Sequence, residues 1–253
     1  MADMRVLKAE FEKGRRAAPR KIALLAPLPC CLLGLLASGA VPGYSAGWIG
    51  YATYGWCYWY TLALPVAIAL ITASVGNIDA KLGLRSVLGL PVAPAKIWLA
   101  KVAYCMVLIF ASCLIVGGVS SAAAFAGGSA PGPVPSLIIA LLVTATSLWM
   151  IPTGLFLVVR AGMLAAIAVP LLIQIAGGIA LGSSPLWWMV PPAVAFRCPS
   201  PLSRVFLSGI PLPAGDPAGI VDGTWVAGVA LAVAIGLVLV LCGARWFNRR
   251  EVA

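Results

Sequence analysis

Few side chains in this sequence could do chemistry, and where they are missing bounds the function. There is no histidine, which removes the usual general base and the commonest metal ligand. Seven acidic residues exist: Asp3, Glu10, Glu12, Asp79, Asp216, Asp222 and Glu251. None falls inside a long apolar run, so no carboxylate for a coupling ion is placed at membrane depth. Ser and Thr occur in those runs, but no His, Lys or Asp stands near to activate a hydroxyl. The seven cysteines show no CxxC spacing, and six of them fall in or beside apolar runs, where Cys behaves as a small hydrophobe. Only Cys198 falls in a probable outer loop. No GxxxxGK[ST] phosphate loop is present, so ATP hydrolysis is not expected on this chain. The reading is no catalytic residue, no metal ligand and no cofactor of its own.

The elements that carry these residues are membrane spans. The chain has 253 residues, 62% hydrophobic and 9% charged, against about 25% charged in a soluble domain. A bilayer crossing takes about 20 apolar residues. Six runs qualify, at 22–40, 54–76, 102–125, 136–159, 163–181 and 223–243, and none contains a charge. Each is read as a helix, because a lipid-facing backbone must satisfy its own polar groups. Pro65, Pro152 and Pro170 fall inside spans two, four and five and are expected to kink them. The first run, with its charged leader and no clean cleavage site, is read as a retained span and not as a signal peptide.

Six spans place both ends on one side. That side then holds fifteen of the seventeen Lys and Arg residues, leaving Arg197 and Arg204 opposite. The positive-inside rule puts this side in the cytoplasm. The net charge of +10 is therefore topogenic, and no nucleic-acid partner is implied. The expected fold is all-α and polytopic, a single transmembrane domain over 1–253. It comprises an amphipathic cytoplasmic helix at 1–21, a cytoplasmic loop at 77–101 and a large outer segment at 182–222. The amphipathic stripe is Met4, Leu7, Phe11 and Ala18, with Lys8 and Arg15 able to snorkel at the inner interface. The outer segment, with Trp187 and Trp188 beside prolines, suits a short element in the outer interface or one dipping back into the bundle. The run "GWIGYATYGWCYWY" reads as an interfacial aromatic belt containing Trp56 and Trp59, with Trp187 and Trp188 as its counterparts in the outer segment.

Four features recur in order along the chain. An amphipathic N-terminal helix precedes span one. The loop between spans two and three reads "LRSVLGLPVAPAKIWLAKV". Span four carries "SLWMIPTGLFLVVRAG", and an outer insertion before the last span carries "SPLWWMVPPAVAFRCPSPL". In this order they resemble the type-2 ABC exporter permeases, and more narrowly the lantibiotic-immunity permeases. The chain departs from many relatives in offering only Asp79 as an acid early in the loop, and in reading "SGIPLPAGDP" where an Asn-Gly turn is frequent.

The resemblance implies a heteromeric complex with two copies of a cytoplasmic ABC ATPase, which holds ATP and Mg, and a second, different permease subunit. The cargo would be a peptide antibiotic expelled from a bacterial cell membrane. It also implies a coupling helix in the loop. On residues 79–91, Leu84, Val87 and Leu88 would form an apolar anchor, with Asp79, Lys81 and Arg85 as polar contacts and Pro91 as the stop. Other readings are a permease for a drug, lipid or polysaccharide, and a non-transport membrane anchor.

Overall fold

Proline and glycine positions decide where the long apolar runs bend. The computed structural model describes residues 2–14, 17–38, 49–80, 92–126, 130–213 and 215–249. Among these residues it is helical, with one isolated bridge between Val205 and Pro211. Helix α1 is Ala2–Lys13, α2 is Ala18–Leu25 and α3 is Leu28–Ala37. A bend at Ala26 and Pro27 separates α2 from α3. Then come a single turn at Ile49–Tyr51 and two wide π-helical segments, Ala52–Cys57 and Trp59–Ala63, leading into α4, Leu64–Ala80. Pro65 stands at the second position of α4, so the kink expected there appears as π-helical widening just before it. A proline lacks the N–H that would continue the ladder.

Helix α5 is Pro94–Phe125, α6 is Pro133–Thr146 and α7 is Met150–Gly182. Tight turns at residues 147–149 precede α7, with Met150 N–H on the Ser147 carbonyl at 3.1 Å and Ile151 N–H on Leu148 at 3.1 Å. Pro152 thereby becomes the third residue of a new helix, where its missing N–H costs nothing. Short helices α8, Pro191–Arg197, and α9, Ser200–Ser203, lead to α10, Gly223–Asn248. Asp222 caps α10, accepting from the Trp225 N–H at 2.7 Å and the Thr224 hydroxyl at 2.9 Å. These bonds hold its carboxyl below the usual carboxylate range.

Five helical stretches are long and apolar enough to cross a membrane: Ala18–Ala37, Ala52–Ala80, Pro94–Phe125, Pro133–Gly182 and Gly223–Asn248. The fourth has 50 residues, about 75 Å if straight at 1.5 Å per residue. It is not straight. Gly162 has φ 85° and ψ 177°, and the chain doubles back there. A Cβ built on Gly154 would lie 3.7 Å from the Ala166 carbonyl oxygen. The Trp149 indole donates to Gln174 Oε1 at 3.2 Å. The two arms of α7 are thus antiparallel neighbours.

Several contacts define one end of the bundle. Asn77, near the end of α4, donates to Met163 Sδ at 3.3 Å beside the Gly162 turn. Lys13 of α1 reaches Asp79 at 3.4 Å. Trp98, early in α5, stacks near Phe247 of α10 at 5.7 Å between centroids. The N-terminal helix, the end of α4, the start of α5, the Gly162 turn and the end of α10 therefore lie together.

The aromatic-rich segment does not form an outward-facing ring. Tyr51, Trp56, Trp59 and Tyr60 are at most 1% exposed. Trp59 donates to Cys113 Sγ at 3.5 Å and Tyr51 to the Val116 carbonyl at 3.1 Å, both on α5. The π-helical turns change the phase of the run so that these rings face inward. Glycines make the room: a Cβ on Gly34 or Gly55 would fall within 3 Å of the Tyr51 ring. Residues 182–222 are folded onto the bundle. Trp187, Val194 and Cys198 are buried with Ala232 of α10, Trp188 is half-buried, and the Trp225 indole donates to the Cys198 carbonyl at 3.1 Å.

The backbone at Gly162 lies in a region that is essentially glycine-only, and a Cβ there meets nothing within 4 Å. Gly162→Ala should therefore cost about 1–3 kcal/mol through the backbone alone. Thermal unfolding of the purified protein should show a lower midpoint, and an unchanged midpoint would contradict this account of the turn.

Candidate functional site between the first helix and the ends of α4 and α5

The residues closest to an interaction role lie where α4 ends and α5 begins. Asp79 is in the last turn of α4, where the helix dipole disfavours an anion. Its side chain is 3% exposed, so a cation must meet it. Lys101, in the second turn of α5 and 6% exposed, forms an ion pair with Asp79 Oδ2, without hydrogen-bond alignment. The same ammonium donates to Glu10 Oε2 of α1 at 3.1 Å. Lys13 completes the group, 3.1 Å from Glu10 Oε1 and 3.4 Å from Asp79 Oδ1. Two acids and two bases thus form a neutral square joining α1, α4 and α5. Burying any one charge alone would be strongly unfavourable, and the square is tolerated because each is met twice.

Neighbouring contacts fasten α1 along α5. The Phe11 and Tyr104 rings meet edge to face at 4.8 Å. A Cβ on Gly14 would fall 1.9 Å from the Tyr104 hydroxyl, so only glycine lets the chain pass there. Arg20 of α2 donates through Nη2 to the Phe11 carbonyl and through Nε to the Tyr104 hydroxyl at 3.4 Å. The face that α1 turns inward is Val6, Glu10, Phe11 and Gly14, with Leu7 half-buried. The stripe expected from sequence shares Phe11 and Leu7 with it and omits the acid at its centre.

Of the residues singled out for coupling, Asp79 is the one described, and it faces inward. Lys81, Leu84, Arg85, Val87, Leu88 and Pro91 lie outside the described residues. Sequence reasoning passed over Glu10 and Lys13 as ordinary members of a basic tail, and Lys101 as the end of a loop. The available signal was that Glu10 and Asp79 are two of only three acids in the first 200 residues beyond the extreme N-terminus that could meet the basic loop.

Replacing Lys101 by Met should leave Asp79 and Glu10 sharing Lys13 alone. The expected loss is about 3–5 kcal/mol of stability. Adding Asp79→Asn should recover part of that loss, because the uncompensated charge is removed. Unfolding midpoints of the two variants check this. Equal midpoints for single and double variants would mean that the square is not a coupled unit.

A family model described as "ABC-2 family transporter protein" matches residues 6–190. No curated protein matches the chain, and no solved structure does. The matched region contains most of α1, the ion square, residues 81–91 and both arms of α7. With its apolar helices it marks a multi-pass membrane protein and a transport component, of a family that implies association with an ABC ATPase. The chain belongs to the ABC-2 family of transporter permeases.

Proposed function

We propose that the chain is one permease subunit of an ATP-driven exporter that removes a lantibiotic from the membrane of the cell producing it. The ATPase would be present in two copies and hold ATP and Mg, and a second, different permease would complete the pore. The observation that carries the coupling part is the buried ion square. It ties the base of the loop 81–91 to α1 and α5, so a force applied to that loop moves three helices together. A loop serving only as a topology signal would not need its base held by three buried charges, Glu10, Asp79 and Lys101, and by the more exposed Lys13. Within the loop, Lys81, Leu84, Arg85, Val87, Leu88 and Pro91 are assigned to ATPase docking, with Asp79 as the anchor beneath them. The lantibiotic cargo rests on the resemblance of the loop, span-four and outer-segment motifs. A drug, lipid or polysaccharide cargo satisfies the same architecture, and tolerance assays across these classes separate them.

The reversal at Gly162 supports counting Pro133–Gly182 as two crossings, which gives six. Even parity agrees with the contacts that bring α1 and the end of α10 to one end. The basic residues of that end support a cytoplasmic position for both termini and an outer position for 182–222. Ser203 lies in the outer segment but is buried, so it is a poor reporter of topology. Val221 is 55% exposed and is a better one.

With exposed Cys242 replaced by Ser, a cysteine at Val221 should react with an impermeant thiol reagent on intact cells, and one at Ala253 should not. The reverse pattern would invert the orientation. Changing Leu84 and Leu88 to Asp should lower ATPase co-purification and cargo tolerance while membrane insertion persists. Unchanged ATPase recovery would remove the docking assignment.

A further inference from the structure

At the end of the bundle opposite the ion square, Gly182 ends the second arm of α7, and the following segment closes over it. Between them lies a half-open cavity of about 260 Å3, with Gly182, Arg197, Ser200, Phe206, Leu207 and Asp216 on its walls. One wall presents a cation. The Arg197 guanidinium donates through Nη1 to the Gly182 carbonyl at 3.1 Å and lies 4.8 Å from the centroid of the Trp187 ring. Those contacts fix the group and leave its Nε and Nη2 donors without a partner among the described residues. Another wall presents an anion. Asp216 accepts from the Ala218 N–H through Oδ1 at 2.8 Å, which leaves Oδ2. The two groups form no direct ion pair; burial lowers the Arg197 guanidinium from its ordinary value, and the nearby Asp216 and Asp222 carboxylates oppose that only in part. Fixed opposite charges across an unfilled space match a ligand carrying both signs in the complementary order.

The size and surroundings narrow the ligand. The volume is below the range of about 300–1,000 Å3 usual for whole small molecules, so a polar end group fits and the rest of the molecule stays outside. Outside is apolar. Ile210, whose carbonyl accepts from the Phe206 N–H at 2.8 Å, is 59% exposed, and Leu186 is 54% exposed. Such surface beside a span suits acyl chains.

We propose that this cavity binds the headgroup of a zwitterionic phospholipid, the phosphate on Arg197 and the ammonium on Asp216. A guanidinium fork matches a phosphate in geometry and charge. Asp216 makes the site selective, because it attracts an ammonium and repels a headgroup that carries only the phosphate charge. Assigning the site to the outer leaflet rests on the orientation proposed above. The headgroup chemistry does not depend on that orientation.

The test uses the full chain purified in detergent without its ATPase, so its result is independent of the coupling and cargo readings. Unfolding midpoints are followed against dioctanoyl phosphatidylethanolamine, dioctanoyl phosphatidylglycerol, dioctanoyl glycerol and free phosphoethanolamine. The ethanolamine lipid should raise the midpoint saturably and more strongly than the glycerol lipid. Asp216→Asn keeps an acceptor for Ala218 and should weaken the ethanolamine lipid by about tenfold, the scale of one charge-assisted hydrogen bond, while sparing the glycerol lipid. Arg197→Lys should weaken both. A variant at Asp216 that retains the full preference for ethanolamine overturns the proposal. So does a midpoint shift by dioctanoyl glycerol equal to that of the ethanolamine lipid. Free phosphoethanolamine binding as tightly as the lipid would overturn the lipid as its source.

Discussion

Charge cannot be left alone inside an apolar bundle, and the half of this protein that holds the ion square is arranged around that constraint. Asp79 ends α4 where the helix dipole repels it, and Lys101 would be equally costly without an anion. Their mutual approach fixes the spacing between α4 and α5 at the point where the chain leaves and re-enters the bundle. Glu10 and Lys13 complete the neutralisation and bring α1 with them. The N-terminal helix is thereby a packed element, held by charge at Glu10, by the Phe11–Tyr104 contact and by the close passage at Gly14.

The remaining architecture follows from backbone limits. Prolines set the π-helical widening before α4, the bend between α2 and α3 and the fresh helical start at Met150. Glycines allow close approach where large rings must be buried. A Cβ on Gly243 would fall 2.3 Å from the Trp98 ring, whose indole donates to the Val240 carbonyl at 3.2 Å. The last helix is therefore seated against α5 by one tryptophan in a glycine notch. The end with the ion square holds its helices by charge and by Trp98, and the opposite end by Trp187, Trp225 and folded-back short helices.

Much of the helical layout was legible from the length and polarity of the apolar runs, because a bilayer crossing has a fixed length. The position of Pro152 foreshadowed a disturbance in the fourth run, and the short basic connection near Arg160 foreshadowed the reversal. The ion square was not legible. Its members are separated by 66 and 91 residues in the pairs Lys13–Asp79 and Glu10–Lys101, and charges in a tail or loop read as solvated. The aromatic run was misleading for a different reason. Whether Trp56 and Trp59 face lipid or core depends on helical phase, and the π-helical turns that set the phase leave no mark in composition. Asp79 was conspicuous as an acid in a basic loop, but its inward direction is decided by Lys101 and α1.

The reversal at Gly162 also constrains how the chain length can vary. Trp149 meets Gln174 across the hairpin, and Gly154 faces Ala166, only for one count of intervening residues. Inserting or deleting a single residue in either arm would rotate everything beyond it by about 100° around the helix axis. The indole would then lose its amide, and Gly154 would lose its close fit against Thr72 and the Ala166 carbonyl. Substitutions in these arms can be absorbed one side chain at a time. A change in length can be absorbed only in whole turns, or beyond the hairpin altogether, so divergence in this region should proceed by exchange of residues at constant length.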